Sequence, residues 1–239
     1  MPRFFLDFAG GGEAVITGAD AAHIAKSLRM RPGDPITLCD GRGTDYAGVI
    51  KEIGVQTVTV RVEGASPTLS EPSLAVTLYQ GLPKGDKMDF IVQKAVELGV
   101  TAIVPVATRR SVVRLDDKAD RKRERWQRIA DEAAGQCGRG ILPQVEPPVP
   151  FARAVERLRE ETAVILYEGG GRPLRELVSP GVRQLSMMVG PEGGFEPDEV
   201  EAVREAGGAV ATLGPRILRC ETAPLAALAV AMQLSGNLE

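Results

Sequence analysis

Short apolar runs bounded by turn residues open the chain. Ile36–Cys39, Tyr46–Ile50 and Thr57–Val62 are β-branched segments of strand length. Each is closed by a breaker: Arg31-Pro32-Gly33-Asp34, Asp40-Gly41-Arg42-Gly43 or Glu52-Ile53-Gly54. A further strand is predicted at Phe4-Phe5, and helical spacing runs from Ala21 to Met30. The stretch Gly64 to Pro72 is small, polar and proline-punctuated, and reads as a linker. Beyond it the period changes. Buried-type strands at 74–78, 102–106, 163–167, 186–189 and 209–213 alternate with helices at 87–98, 120–137, 198–206 and 222–234, with a short turn of helix near Leu174. That alternation predicts an α/β domain built on a mostly parallel sheet covered on both faces. A small β-rich domain over 1–70 would precede it, leaving 73–239 for the larger one.

The composition is ordinary for a globular chain of 239 residues, with 44% hydrophobic and 26% charged, and it argues against disorder. Only 4% is aromatic, so the core must be aliphatic. The net charge is −3. Three scattered cysteines, Cys39, Cys137 and Cys220, make neither a disulfide framework nor a zinc ligand set, and one histidine, His23, excludes a multi-histidine metal site. The opening Met1-Pro2-Arg3-Phe4-Phe5-Leu6-Asp7 places an acid where an export signal would run apolar, and no stretch has the length of a membrane span. A reducing cytoplasmic setting, with no metal and no membrane, is therefore expected.

Candidate chemistry sits at strand ends. Met188 to Glu199 runs from a buried strand through Gly190-Pro191-Glu192-Gly193-Gly194 into a helix that opens with Pro197 and acids. Bare backbone at a strand's C-terminal end suits close approach to a ligand, although a plain tight turn accounts for it equally well. The G-x-G-x-x-G spacing of a dinucleotide site is absent. Leu213 to Ala223, containing Gly214, Arg216, Ile217, Leu218, Arg219 and Glu221, also follows a strand and precedes a helix; Ile217 and Leu218 are expected to turn inward. A third strand end, Tyr167-Glu168-Gly169-Gly170-Gly171, could complete a shared pocket. From Arg109 to Arg128, nine basic residues stand against four acids, a positive patch suited to phosphate backbones unless it is a solvated helix face. Lesser signals point nowhere: Gly81 to Lys87 lacks phosphate-loop spacing, Cys220 reads as a buried inert thiol, and Trp126 as packing.

Four segments together carry a resemblance. Val189-Gly190-Pro191-Glu192-Gly193-Gly194-Phe195, the run Leu213 to Ala223, Lys94 to Val100, and Trp126 to Ala130 continuing through Glu132 to Arg139 are similar to the RsmE family. These are SPOUT-superfamily ribosomal RNA methyltransferases that move a methyl group from S-adenosylmethionine to N3 of a uridine in 16S RNA. Cys220 departs from the pattern, which has threonine there more often. The resemblance implies a PUA-like β-barrel followed by a SPOUT α/β domain tied in a deep trefoil knot, and a homodimer acting on the small ribosomal subunit. It implies a cofactor pocket of Leu166, Tyr167, Glu168, Gly169, Val189, Gly190, Pro191, Glu192, Gly193, Gly194, Leu213, Gly214, Ile217 and Leu218.

Reaction at N3 needs alignment and removal of a weakly acidic proton, so Glu221 and Glu192 are candidate bases, with Arg219 and Arg216 candidate stabilisers of the uracil anion. Arg3, His23, Arg29, Arg31, Lys84, Lys87, Arg109 and Arg110 are candidate RNA contacts. A related enzyme acting on transfer RNA or a ribose hydroxyl, and an assembly factor that binds RNA without catalysis, are the competing readings.

Overall fold

The structure, a computed structural model, describes residues 1–8, 10–111 and 119–238. It separates into two compact units: one of Met1–Glu71 with Ala134–Leu142, the other of Pro72–Ala133 with Pro143–Glu239.

In the first unit, β1 (Arg3–Phe5), β2 (Glu13–Thr17), β3 (Pro35–Cys39), β4 (Thr44–Ile53) and β5 (Thr57–Pro67) form one curled sheet in the order β1-β3-β4-β5-β2. All neighbours are antiparallel except β1 and β3. Strict alternation in β2 turns Ala14 and Ile16 inward, where they meet Ile36, Leu38, Ile50, Val58 and Val60. The expected helix over 21–30 begins earlier, as α1 (Gly18–Ala22), and widens into a π-helical turn over His23–Ser27. It ends at Arg29, whose φ of 54° makes it the one non-glycine residue in the left-handed region among those described. The linker expected at 64–72 is in part strand. β5 continues to Pro67 because Tyr46, Asp45 and Thr44 of β4 pair with Ala65, Ser66 and Pro67, and that ladder outweighs the weak strand propensity of small polar residues.

The second unit contains β6 (Ala75–Gly81), α2 (Lys87–Glu97), β7 (Ala102–Ala107) and, from the long helix α3 (Ala119–Cys137), the residues up to Ala133. Then come β8 (Gln144–Val145), β9 (Val149–Pro150), α4 (Phe151–Leu158), β10 (Ala163–Leu166) and β11 (Arg172–Pro173). A 3₁₀ turn over Leu174–Glu176 leads to β12 (Gln184–Val189), α5 (Pro197–Glu205), β13 (Ala209–Thr212) and α6 (Ala223–Leu234). The strands make one parallel sheet in the order β11-β13-β10-β12-β6-β7-β8, with β9 also pairing β7. α4 and α5 cover one face over a core of Tyr79, Val104, Ile165, Met188, Phe195 and Val203. On another side α6 packs on β6, β12 and α2. Burial on both sides explains why β10 reads as an unbroken apolar run and why β12 is buried throughout 185–189. α4, with alternating pairs of buried and exposed residues, had no counterpart among the expected elements.

Candidate active site

Three neighbouring parallel strands, β13, β10 and β12, end at the same edge of the sheet, so the loops after them converge. They enclose a cavity of about 470 Å³, walled by residues 166–168, 189–194 and 211–221 together with Lys87 and Ala223. Of the residues expected to line a pocket, all but Gly169 do so. Gly169 is folded against the ring of Tyr167, where a Cβ would lie 2.3 Å from the ring edge.

Backbone makes much of the wall. A Cβ on Gly190 would stand 3.1 Å from Gly194 Cα and 3.2 Å from the Phe195 ring, and Gly194 holds a φ of 68° that disfavours any side chain. Phe195, 1% exposed, anchors the loop in the core beneath α4 and α5. The next turn is fixed by a capping box in which Glu196 and Glu199 satisfy each other's backbone N–H groups, with Pro197 as the first residue of α5. On the other side, Gly81 ends β6 so close to Pro191 that a Cβ there would come within 2.7 Å of its backbone nitrogen. Gln80, fully buried, donates from Nε2 to the carbonyl oxygens of Gly81 at 3.0 Å and Gly190 at 3.4 Å.

Charge in the cavity is concentrated at Lys87. Its Nζ lies 2.9 Å from Glu192 Oε1 and 3.3 Å from Glu221 Oε2, joining the loop after β12 to the loop after β13. Glu192 also accepts from the backbone N–H of Lys84 at 3.1 Å. Burial works to raise the Glu192 pKa, but the hydrogen bonds from Lys87 and the backbone outweigh it and hold the carboxyl below its ordinary value. Glu221 is lowered too, first by the hydrogen bond from the Cys220 thiol, 3.1 Å away. The thiol itself is pushed up to about 12, chiefly by burial, so it stays protonated. Arg216 and Arg219 lie exposed in the run after β13, with no ion pair among the described residues. Ile217 is 81% exposed rather than turned inward: residues 214–219 form neither strand nor helix, so no alternation buries it.

Residues 70–232 match the family described as an RNA methyltransferase domain, and residues 16–63 the one described as an RNA methyltransferase PUA domain. The ribosomal RNA small subunit methyltransferase E of Bacillus subtilis is 39% identical over 222 residues, covering 89% of this chain and 87% of its own. The chain belongs to that family. The Mycobacterium tuberculosis protein is 32% identical, covering 91% and 85%. A crystal structure of the Neisseria gonorrhoeae protein bound to S-adenosylmethionine is 36% identical, with a TM-score of 0.89 over 98% of each chain.

In this family member the basic residues expected on RNA differ in their freedom. Arg3 makes a two-pronged pair with Asp45, both bonds 2.7 Å and its side chain 16% exposed, so it acts within its own sheet. Arg109 pairs with Asp198. Arg110 grips Glu196 at 2.8 and 2.9 Å and donates to the Gly193 carbonyl oxygen at 2.6 Å, bracing the glycine loop. Lys87 is held by its two carboxylates. His23, Arg29, Arg31 and Lys84 are exposed. Arg114 and Lys118 of the basic patch lie outside the described residues. Lys87 as a cavity residue was not foreseen, because its place depends on β6 lying beside β12, which sequence order does not reveal.

Proposed function

We propose that this chain methylates N3 of a uridine in 16S RNA of the small ribosomal subunit, taking the methyl group from S-adenosylmethionine. The observation that carries the reading is the convergence of three glycine-bearing strand-end loops on one cavity of about 470 Å³, within the range that takes a cofactor of this size. A Cβ at Gly190, Gly193 or Gly194 would press on Phe195, Arg110 or Glu168, so glycine there lets the loop pack in the shape that walls the cavity, and a cavity of that size and mixed polar lining fits such a group. When bound, S-adenosylmethionine supplies a methyl group already activated on a sulfonium. The chain's own work is to position the base and offset the loss of its N3 proton.

Glu221 and Glu192 can accept that proton only uphill. With N3 about two units above neutral and a carboxyl near its ordinary pKa, the gap is roughly five units, or about 7 kcal/mol. Their commitment to Lys87 widens it. We therefore give the larger share to Arg219 and Arg216, whose guanidiniums can stabilise negative charge growing on the uracil oxygens. N3 lies on the pairing edge, so the target must be unpaired or drawn out of a helix. Arg29, Arg31 and Lys84 are proposed phosphate contacts because their charges face solvent, and His23, also exposed, joins them as a hydrogen-bonding side chain.

A homodimer belongs to this reading. α6 is apolar nearly all round, and Leu225, Ala226, Ala229 and Val230 form a half-exposed stripe along it; on α2, Phe90 is 46% exposed. The trefoil knot is proposed with it, on the strength of the family membership. A cytoplasmic setting suits three cysteines that form no disulfide among the described residues.

The deciding experiment is transfer from labelled S-adenosylmethionine to small subunits lacking the modification, with the nucleoside identified by mass spectrometry. Label in 3-methyluridine is expected. Label in another nucleoside would displace the N3 assignment, and cofactor binding without transfer to any ribosomal RNA would displace the substrate.

A further inference from the structure

The cluster at Lys87 holds more acid than it needs. One carboxylate would neutralise the ammonium, and a neutral pair would already tie one loop down. Instead Lys87 faces two, Glu192 from the loop after β12 and Glu221 from the loop after β13. The side chains are 33%, 29% and 21% exposed, so most of each is withdrawn from water, and all three line the cavity. The nearby Cys220 thiol, 3.8 Å from Nζ, is neutral and cannot restore the balance. The cluster therefore carries one uncompensated negative charge on the cavity wall. Arg216, Arg219 and Glu168, the other charges lining the cavity, are all exposed and screened, so the imbalance is that of the withdrawn cluster.

A withdrawn cluster short of one positive charge suits a ligand that brings one to it. S-adenosylmethionine has a sulfonium; its product, S-adenosylhomocysteine, has a neutral sulfur in the same skeleton. We propose that the Glu192–Lys87–Glu221 cluster is a charge-selective subsite that favours the sulfonium form of the cofactor over its neutral product. This rests on the cofactor reading given above. The charge balance is met while the methyl donor is bound and lost once the methyl group has left, which favours product release. Lys87 is then a positioning residue, tuning the excess charge while holding the two carboxylates in place.

The test is calorimetric titration of the full chain with S-adenosylmethionine and, separately, with S-adenosylhomocysteine. Glu221→Gln keeps shape and removes one charge. It should weaken S-adenosylmethionine about fivefold while leaving S-adenosylhomocysteine within about twofold. Lys87→Met should move the ratio of the two affinities the other way, and added salt should shrink the wild-type preference. Parallel weakening of both ligands in Glu221→Gln would overturn the proposal and leave a loop brace. If Lys87→Met binds neither ligand, Glu192→Gln supplies the second ratio, and a ratio unchanged there and in Glu221→Gln also overturns it. Failure of wild-type protein to bind either ligand would instead remove the cofactor reading.

Discussion

Replacing Glu71 tests how the first unit holds residues 134–142, which arrive from far along the chain. Glu71 accepts from Arg139 Nε at 3.3 Å and Nη2 at 2.7 Å, from the backbone N–H of Gly140 at 2.8 Å and from that of Ile141 at 3.0 Å. The Arg139 side chain is 4% exposed and that of Glu71 15%. Removing one partner of a pair this buried leaves the other uncompensated, at a cost of about 3–5 kcal/mol. Glu71→Gln keeps one acceptor oxygen but sets an amide N–H against donors, so about 3 kcal/mol is expected. Glu71→Gln combined with Arg139→Met should recover part of that, since an apolar replacement of both partners approaches neutrality.

The single tryptophan, Trp126, belongs to the second of the two compact units, so its fluorescence does not read the first directly. Hydrogen exchange at neutral pH over β3 to β5 reads the first unit directly. Acid supplies a second signature. Burial works to raise the Glu71 pKa, but the bonds from Arg139 and the two backbone N–H groups hold it below the ordinary carboxyl value. Its folded pKa is thus lower than its unfolded one, so its contribution is complete above the unfolded value and lost as pH falls through the folded value. The gap between wild type and Glu71→Gln in urea midpoint should therefore narrow below about pH 4. A gap under about 0.5 kcal/mol at neutral pH, or one that persists unchanged in acid, would refute this account.

Other expectations are shorter. Gly81→Ala places a Cβ 2.6 Å from Pro191 Cδ and 2.7 Å from its nitrogen, so the glycine loop must shift; calorimetry should show cofactor affinity falling at least about tenfold with the fold intact. Arg219→Ala should cut methyl transfer about 100-fold while cofactor affinity stays within twofold, and its pH–rate profile should move to higher pH; equal loss of both would make Arg219 a cofactor ligand. Because Arg109 and Arg110 are already paired with acids, neutralising them should flatten the salt dependence of RNA binding less than neutralising the exposed Arg29 and Arg31, which should lower the slope by about 2. Phe195→Ala, emptying a fully buried ring site under the loop, should cost about 3–5 kcal/mol in the second unit, followed by Trp126 fluorescence.

Period and punctuation carried much of the fold. β7, β10, β12 and α2 lie close to where apolar runs and helical spacing predict them, because each is long, regular and bounded by breakers. α4 escaped because Pro147, Pro148 and Pro150 crowd its start and suggest irregular chain, whereas the last of them is simply its N-cap. The far end of β5 escaped because its strand character resides in the partner, β4. In the site, the converging loops were legible from glycines placed after strands. The pairing of cations was not. Arg3, Arg109 and Arg110 look like free charge in the sequence, and each owes its partner to a residue at least 42 positions away.

The distribution of side chains fits the division of labour in the proposed reaction. Withdrawn in the wall, the excess charge is acidic, at Glu192 and Glu221 around Lys87; at the exposed run after β13 it is basic, at Arg216 and Arg219. A cationic cofactor within and a polyanionic RNA outside would each meet the opposite sign. A methyl donor that arrives activated asks for little acid–base chemistry, which agrees with carboxylates lowered in pKa rather than raised toward neutrality. The remaining requirement is placement, and bare backbone between tightly packed strands meets it: Gly81 against Pro191, and Gly190 against Gly194 and Phe195, leave the loop almost no freedom to retreat.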